Sequence, residues 1–180
     1  MTALAKWSIA EYHKMIEARI LGDRNIQLID GELIEMSPEG IIHAAYGGNM
    51  ADYLRQLLLG KAWIREAHPI TIDNSEPEPD IAIVKLPKSK YFENHPISQD
   101  ILWLIEISDT TLAYDLNKKK KIYAAADISE YWVADVKSKK LTVFTQPQNG
   151  NYLAQSEFTK GSIKLRVSGM SMSVEKLFAR

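Results

Sequence analysis

Cysteine is absent from the 180 residues, so no disulfide framework holds this chain and nothing in its redox chemistry points to secretion. Long apolar runs are missing as well. No segment approaches the ~20 continuous apolar residues of a bilayer-spanning helix, so no membrane partner is expected. The opening Met1-Thr2-Ala3-Leu4-Ala5-Lys6-Trp7 has no apolar stretch leading to a cleavage site, and a cytoplasmic protein is the expectation. An excess of either charge is also lacking. With 22 basic and 23 acidic side chains the formal charge is -1 and the pI about 6.4, which is not the basic footprint of tight phosphate binding. That balance argues against stable nucleic-acid binding. It leaves room for a transient contact, because a local positive patch and a divalent metal can act while acids elsewhere cancel the sum. Internal repeats and low-complexity segments are absent too.

What is present is ordinary globular composition, 46% hydrophobic and 25% charged. At this length one domain over residues 1–180 is expected, large enough to bury a core around a sheet. Ile9, Tyr12, Met15 and Ile16 have near-helical spacing behind Ser8, which predicts a capped first helix to about Ala18. Asp30-Gly31 between Ile26-Gln27-Leu28-Ile29 and Glu32-Leu33-Ile34-Glu35-Met36 predicts a hairpin on a type I′ turn. His43, Tyr46, Met50, Leu54, Leu57 and Leu58 form one helical stripe ending near Gly60. Trp63-Ile64-Arg65 and Ile70-Thr71-Ile72 read as strand material interrupted at Pro69. Ile81 to Val84 and Ile101 to Ile107 read as buried strands, joined by a polar and mobile loop around Pro87, Lys88, Ser89, Lys90 and Pro96. A helix from Thr110 or Thr111 to about Ala126 follows. Tyr131 to Val136 and Leu141 to Phe144 form a second hairpin. Fainter strand signals lie at Tyr152 and from Ile163 to Val167, and a short helix closes the chain from Ser173 to Phe178. The fold class is therefore mixed α/β.

Glu106 is the conspicuous residue, a carboxylate in the apolar run Ile101-Leu102-Trp103-Leu104-Ile105-Glu106-Ile107. Burying an ionised carboxylate costs several kcal/mol unless it is paired or binds a metal. Glu76-Pro77-Glu78-Pro79-Asp80 leads directly into the preceding strand, so Asp80 is the candidate second acid. Two carboxylates and a backbone carbonyl, here that of Ile107, suffice to hold Mg²⁺, or Mn²⁺, against a substrate phosphate. Such an ion activates water and disperses charge in phosphodiester hydrolysis, and a nearby lysine stabilises the charge that develops. Two strand residues beyond Glu106 at ~3.3 Å, followed by eight helical residues returning at ~1.5 Å, bring Lys119 back over Glu106 with an overshoot of ~5 Å. Lys120 arrives almost equally well, and periodicity does not separate the two.

Each residue has a plain structural reading beside the functional one. Asp80 after Pro79 suits a strand start. Glu106 could pair with Arg65 or Arg55, the Lys118 to Lys121 run suits a solvated face, and His43 suits a satisfied structural histidine.

Taken together, Ile26 to Leu33, His43, Glu78-Pro79-Asp80-Ile81, Ile105-Glu106-Ile107-Ser108 with Tyr114-Asp115, and Tyr123-Ala124 through Glu130-Tyr131-Trp132-Val133 resemble a large bacterial family of restriction-endonuclease-like nucleases. The resemblance spans roughly residues 10 to 145. It implies the restriction-endonuclease-like PD-(D/E)XK fold, a central mixed β-sheet flanked by helices, and metal-dependent cleavage of nucleic acid, DNA foremost, by Asp80 and Glu106. The customary lysine two residues beyond the second acid is replaced by Ser108, and the resemblance moves that role to Lys119. Where the family usually carries glutamate, this chain has Gln27, which cannot act as a charged ligand or base. Glu32 or Glu78 would then assist. A catalytically weakened protein that binds or assembles is the competing expectation. A homodimer through Tyr131 and Trp132 is a further one.

Overall fold

Residue patterning explains the sheet at the centre of the computed structural model, which describes residues 4–179. Met1 to Ala3 and Arg180, parts of the expected domain and of the opening segment, lie outside the described residues. The apolar run Ile101–Ser108 forms β5, and Ile81–Val84 forms β4 beside it. With β3 (Trp63–Glu66), β6 (Glu130–Asp135), β7 (Lys140–Gln148) and β8 (Asn151–Phe158) they make a six-stranded sheet in the order β3-β4-β5-β6-β7-β8. Every junction is antiparallel except β5 with β6, whose parallel pairing requires a crossover between them. That crossover is the helical segment after Thr111.

Side-chain alternation sorts the sheet into two buried faces. Ile81, Ile83, Trp103, Ile105, Ile107 and Trp132 point to one, covered by α2 (Ile41–Leu57) and the short C-terminal α5 (Val174–Leu177). Ala82, Val84, Leu104, Tyr131 and Val133 point to the other, where Tyr123 and Ala124 of α4 (Lys120–Ala125) pack. Asp80 and Glu106 fall on this second face by the same alternation.

The amino-terminal α1 (Ile9–Glu17) carries the expected cap as a full capping box, with the Ser8 hydroxyl and the Glu11 carboxylate each bonding the other's backbone N–H. The hairpin of β1 (Ile26–Ile29) and β2 (Glu32–Glu35) turns at Asp30 and Gly31, with φ of 50° and 73°. A side chain at Gly31 would meet Lys6 Cβ at 2.7 Å and Asn74 Nδ2 at 2.8 Å, so this position needs glycine for both torsion and space.

Five local expectations change. Ile70 to Ile72 is not a strand: Thr71 bridges Ile97, and Ile72 bridges Ser75 in a tight loop. The Leu86 to Ile97 excursion is pinned, with Tyr91 stacked on Trp63, the Tyr91 hydroxyl on the Lys85 carbonyl and Lys90 paired with Asp100. The second hairpin grows into a three-stranded meander, because Asn149 and Gly150, at φ 50° and 72°, make another tight turn into β8. Ile163 contributes to a separate ribbon of β9 (Ser162–Lys164) and β10 (Ser171–Ser173). Tyr131 and Trp132 are fully buried core residues, so these rings supply no surface for self-association.

Candidate active site

The β4–β5 register pairs Ile81 with Ile105, and one further step sets Asp80 opposite Glu106. Asp80 lies just before β4, anchored by its carbonyl, which accepts the Ala67 N–H at 3.1 Å. Its Oδ2 accepts two hydrogen bonds, from the Ile107 N–H at 2.6 Å and from His43 Nε2 at 2.9 Å. His43 projects from the first turn of α2, and the bond to Asp80 raises its pKa against the opposing effect of burial. Ile107 thus meets Asp80 through its N–H.

Glu106 is 1% exposed and is held on both oxygens. Lys119 Nζ sits 2.7 Å from Oε2, and the Tyr123 hydroxyl donates to Oε1 at 2.7 Å. Burial drives its carboxyl up to about 8, even though the Lys119 ammonium pulls the other way. Lys119 moves upward too, because Glu106, Asp80 and Asp115 outweigh its own desolvation, so the lysine keeps its proton. Neither arginine weighed as a partner is there. Arg55 pairs with Glu66 and Asp52, and Arg65 lies against Trp63.

Lys119 arrives by a distorted helix. The crossover runs as α3 (Leu112–Tyr114), a π-helical turn Asp115–Lys119, then α4. Turns of this type occur mostly as single insertions within α-helices, frequently at functional sites. Here the turn directs both Asp115 and Lys119 inward. Asp115 is buried, accepts from the Ser108 hydroxyl at 2.7 Å and from the Thr111 hydroxyl at 2.6 Å, and stands 3.9 Å from Lys119 Nζ. Lys120 points elsewhere, its Nζ over the Phe144 ring. Ser108, at the place of the customary lysine, therefore reaches Lys119 indirectly through Asp115.

A cavity of about 510 Å³ opens on this group, lined by Gln27, Glu39, His43, Glu78, Asp80, Glu106, Tyr114 and Lys119 among others. Glu32 is not among the lining residues; its carboxylate meets Lys118 at the surface. Burial raises the Glu78 carboxyl. Gln27 Oε1, His43 Nδ1 and Tyr114 Oη are buried without a hydrogen-bond partner among the described residues, and all three residues line the cavity. Unpaired polar atoms are costly inside a protein, and their convergence on one cavity marks it as built for a polar occupant.

Ligand atoms of Glu39, His43 and Asp80 lie within 4.8 Å of one another. Glu39 was not foreseen, since an exposed glutamate before a helix carries no signal; only its place four residues before His43 points to it. Tyr123 and Thr111 were likewise visible only as helix residues.

The family model described as "Uma2: Putative restriction endonuclease" matches residues 9–175. This chain belongs to the Uma2 family. Its fold is shared with a solved structure of a putative nuclease belonging to DUF820 from Anabaena variabilis, at a TM-score of 0.65 and 16% identity, covering 85% of this chain and 89% of that one. At that identity the likeness speaks for the fold alone. Curated proteins yield no significant match. The family expected from the residues is the family found, and the mixed sheet flanked by helices with an amino-terminal hairpin is the Uma2 chain's observed architecture. No helix among the described residues is long and apolar enough to cross a membrane.

Proposed function

We propose that the cavity is the centre of a metal-dependent nuclease that hydrolyses phosphodiester bonds, with DNA as substrate and the whole domain serving this one site. The observation carrying this reading is the junction of two carboxylates from adjacent strands with a protonated, buried lysine 2.7 Å from the second. The donors fit a hard divalent cation such as Mg²⁺ or Mn²⁺: carboxylate oxygens of Asp80 and Glu106, with Glu39 in reach of Asp80 and the unpaired Gln27 oxygen on the wall. Such an ion, when bound, polarises a phosphoryl oxygen and lowers the pKa of water.

The remaining chemistry belongs to the chain. His43, whose pKa is raised by its bond to Asp80, and the Ile107 N–H orient Asp80. Tyr123 fixes Glu106, and Asp115 with Ser108 and Thr111 holds Lys119 in place. Lys119 keeps its proton, donates to the attacking water and offsets charge growing on the phosphoryl group.

Incubating plasmid DNA with Mg²⁺ or Mn²⁺ tests the reading. Wild type is expected to cut and Glu106→Gln to lose cutting by a factor of about 100 or more. Equal cutting by both would overturn it. The alternative of a binding protein without activity rests on Gln27, whose amide brings no charge. It is favoured if calorimetry detects no Mn²⁺ uptake that depends on Asp80 and Glu106.

A further inference from the structure

Arg65 presents a second, separate anomaly. It is only 7% exposed, yet Nε and Nη1 are buried with no hydrogen-bond partner, and no carboxylate pairs with its guanidinium among the described residues. An unpaired buried cation is among the costliest groups a fold can carry. Nearby acids are engaged elsewhere, Glu66 with Arg55 and Asp100 with Lys90.

A second cation shares the place. The Arg65 guanidinium lies 5.3 Å from the centre of the Trp63 ring and the Lys88 ammonium 5.6 Å from the same centre. Lys88 is exposed and has no ion-pair partner among the described residues. Trp63 is braced from one side by Tyr91, whose ring stacks at 5.7 Å. Two like charges against one aromatic ring repel, and an anion between them removes both the repulsion and the missing partner.

Position relates this pair to the cavity. Arg65 faces Ala82 across the β3–β4 ladder, on the same side of the sheet as Asp80 and Glu106. Two residues further along the same chain, Ala67 lines the cavity and bonds the Asp80 carbonyl. Arg65 therefore lies two residues from the cavity wall, on the sheet face that carries Asp80 and Glu106.

We propose that Arg65 and Lys88 form a phosphate-binding subsite that holds a non-scissile backbone phosphate of the nucleic acid whose cleavage is assigned to the cavity. The inference rests on that assignment for its substrate, and it localises positive charge in a chain whose formal charge is -1. Phosphate contacts of this kind set register without reading sequence.

Binding of a fluorescein-labelled DNA oligonucleotide in EDTA, followed by anisotropy over a range of salt, tests it without any cutting. Arg65→Met and Lys88→Gln are each expected to weaken binding about tenfold and to reduce the slope of log K against log salt by about 1. Arg65→Met should melt no lower than wild type, because it removes an unpaired buried cation. If it fails to fold, Lys88→Gln, at an exposed position, carries the test. Unchanged affinity and slope in the folded variants would overturn the proposal. Titrating inorganic phosphate separates the sources of the anion: an Arg65-dependent phosphate affinity with DNA binding unaffected would overturn the nucleic-acid assignment. If Glu106→Gln cuts like wild type while Arg65 and Lys88 still govern DNA binding, the cavity's assignment falls and the subsite stands. If cutting needs Glu106 but binding ignores both cations, the subsite alone falls.

Discussion

Glu106 is the residue on which stability and chemistry conflict. Its carboxyl is ordinary near 4.5 when the chain is unfolded and is pushed up to about 8 by burial in the fold. Between those values the native state holds a proton that the unfolded state has released, so metal-free stability falls as pH rises through this window. Denaturant unfolding in EDTA from pH 5 to 8 should show that decline, and Glu106→Gln should flatten it. An equal slope in both proteins would refute the assignment of the titration to Glu106. Lys119 moves in the same direction, but its stabilising effect is present below its ordinary 10.5 and is lost only above it, outside the window. Replacing Lys119 by Met, which keeps the stem and removes the charge, should lower cleavage by a factor of about 100 to 1,000 with secondary structure intact. Retained cleavage, measured beside circular dichroism, would remove Lys119 from the mechanism.

Two elements do the positioning. The π turn Asp115–Lys119 lies in the crossover, and its two buried charges, four positions apart on one helical face, meet Ser108 and Glu106. The β1–β2 hairpin carries Gln27 to the cavity wall, and its geometry hangs on Gly31. Gly31→Ala forces a side chain at φ 73° into Lys6 and Asn74, and a loss of about 1–3 kcal/mol in denaturant unfolding is expected. A smaller change would mean that the hairpin relaxes away from Lys6 and Asn74.

At the scale of the molecule, the site exists because the strand pair β4–β5 and the parallel pair β5–β6 meet at Glu106's strand. The antiparallel partner brings Asp80, and the crossover that parallel pairing demands brings Lys119. Trp132 and Trp103 lock this junction from the opposite face, their rings 5.5 Å apart and nearly inaccessible. Trp132→Ala should cost about 3–5 kcal/mol by leaving a large cavity there, measured by denaturant unfolding. A cost below about 1 kcal/mol would show that the junction repacks.

Local chemistry made much of this readable in order along the chain. Asp30-Gly31 specifies its turn by torsion alone, the apolar runs mark β4 and β5, and a carboxylate inside such a run signals its own need for a partner. Asp80, Glu106 and the reach of a lysine from the next helix follow from spacing. Other features depend on groups distant in sequence. Lys119 separates from Lys120 through a π turn that no periodicity marks, and Ile70 to Ile72 loses its strand to a loop that closes on Ser75 and Ile97. Trp132 and Tyr131 could be surface or core until both faces of the sheet were covered. The unpaired Arg65 and the grouping of Glu39 with His43 and Asp80 arise only when strands and loops close around them, because burial and the absence of a partner are properties of the surroundings and not of the residue.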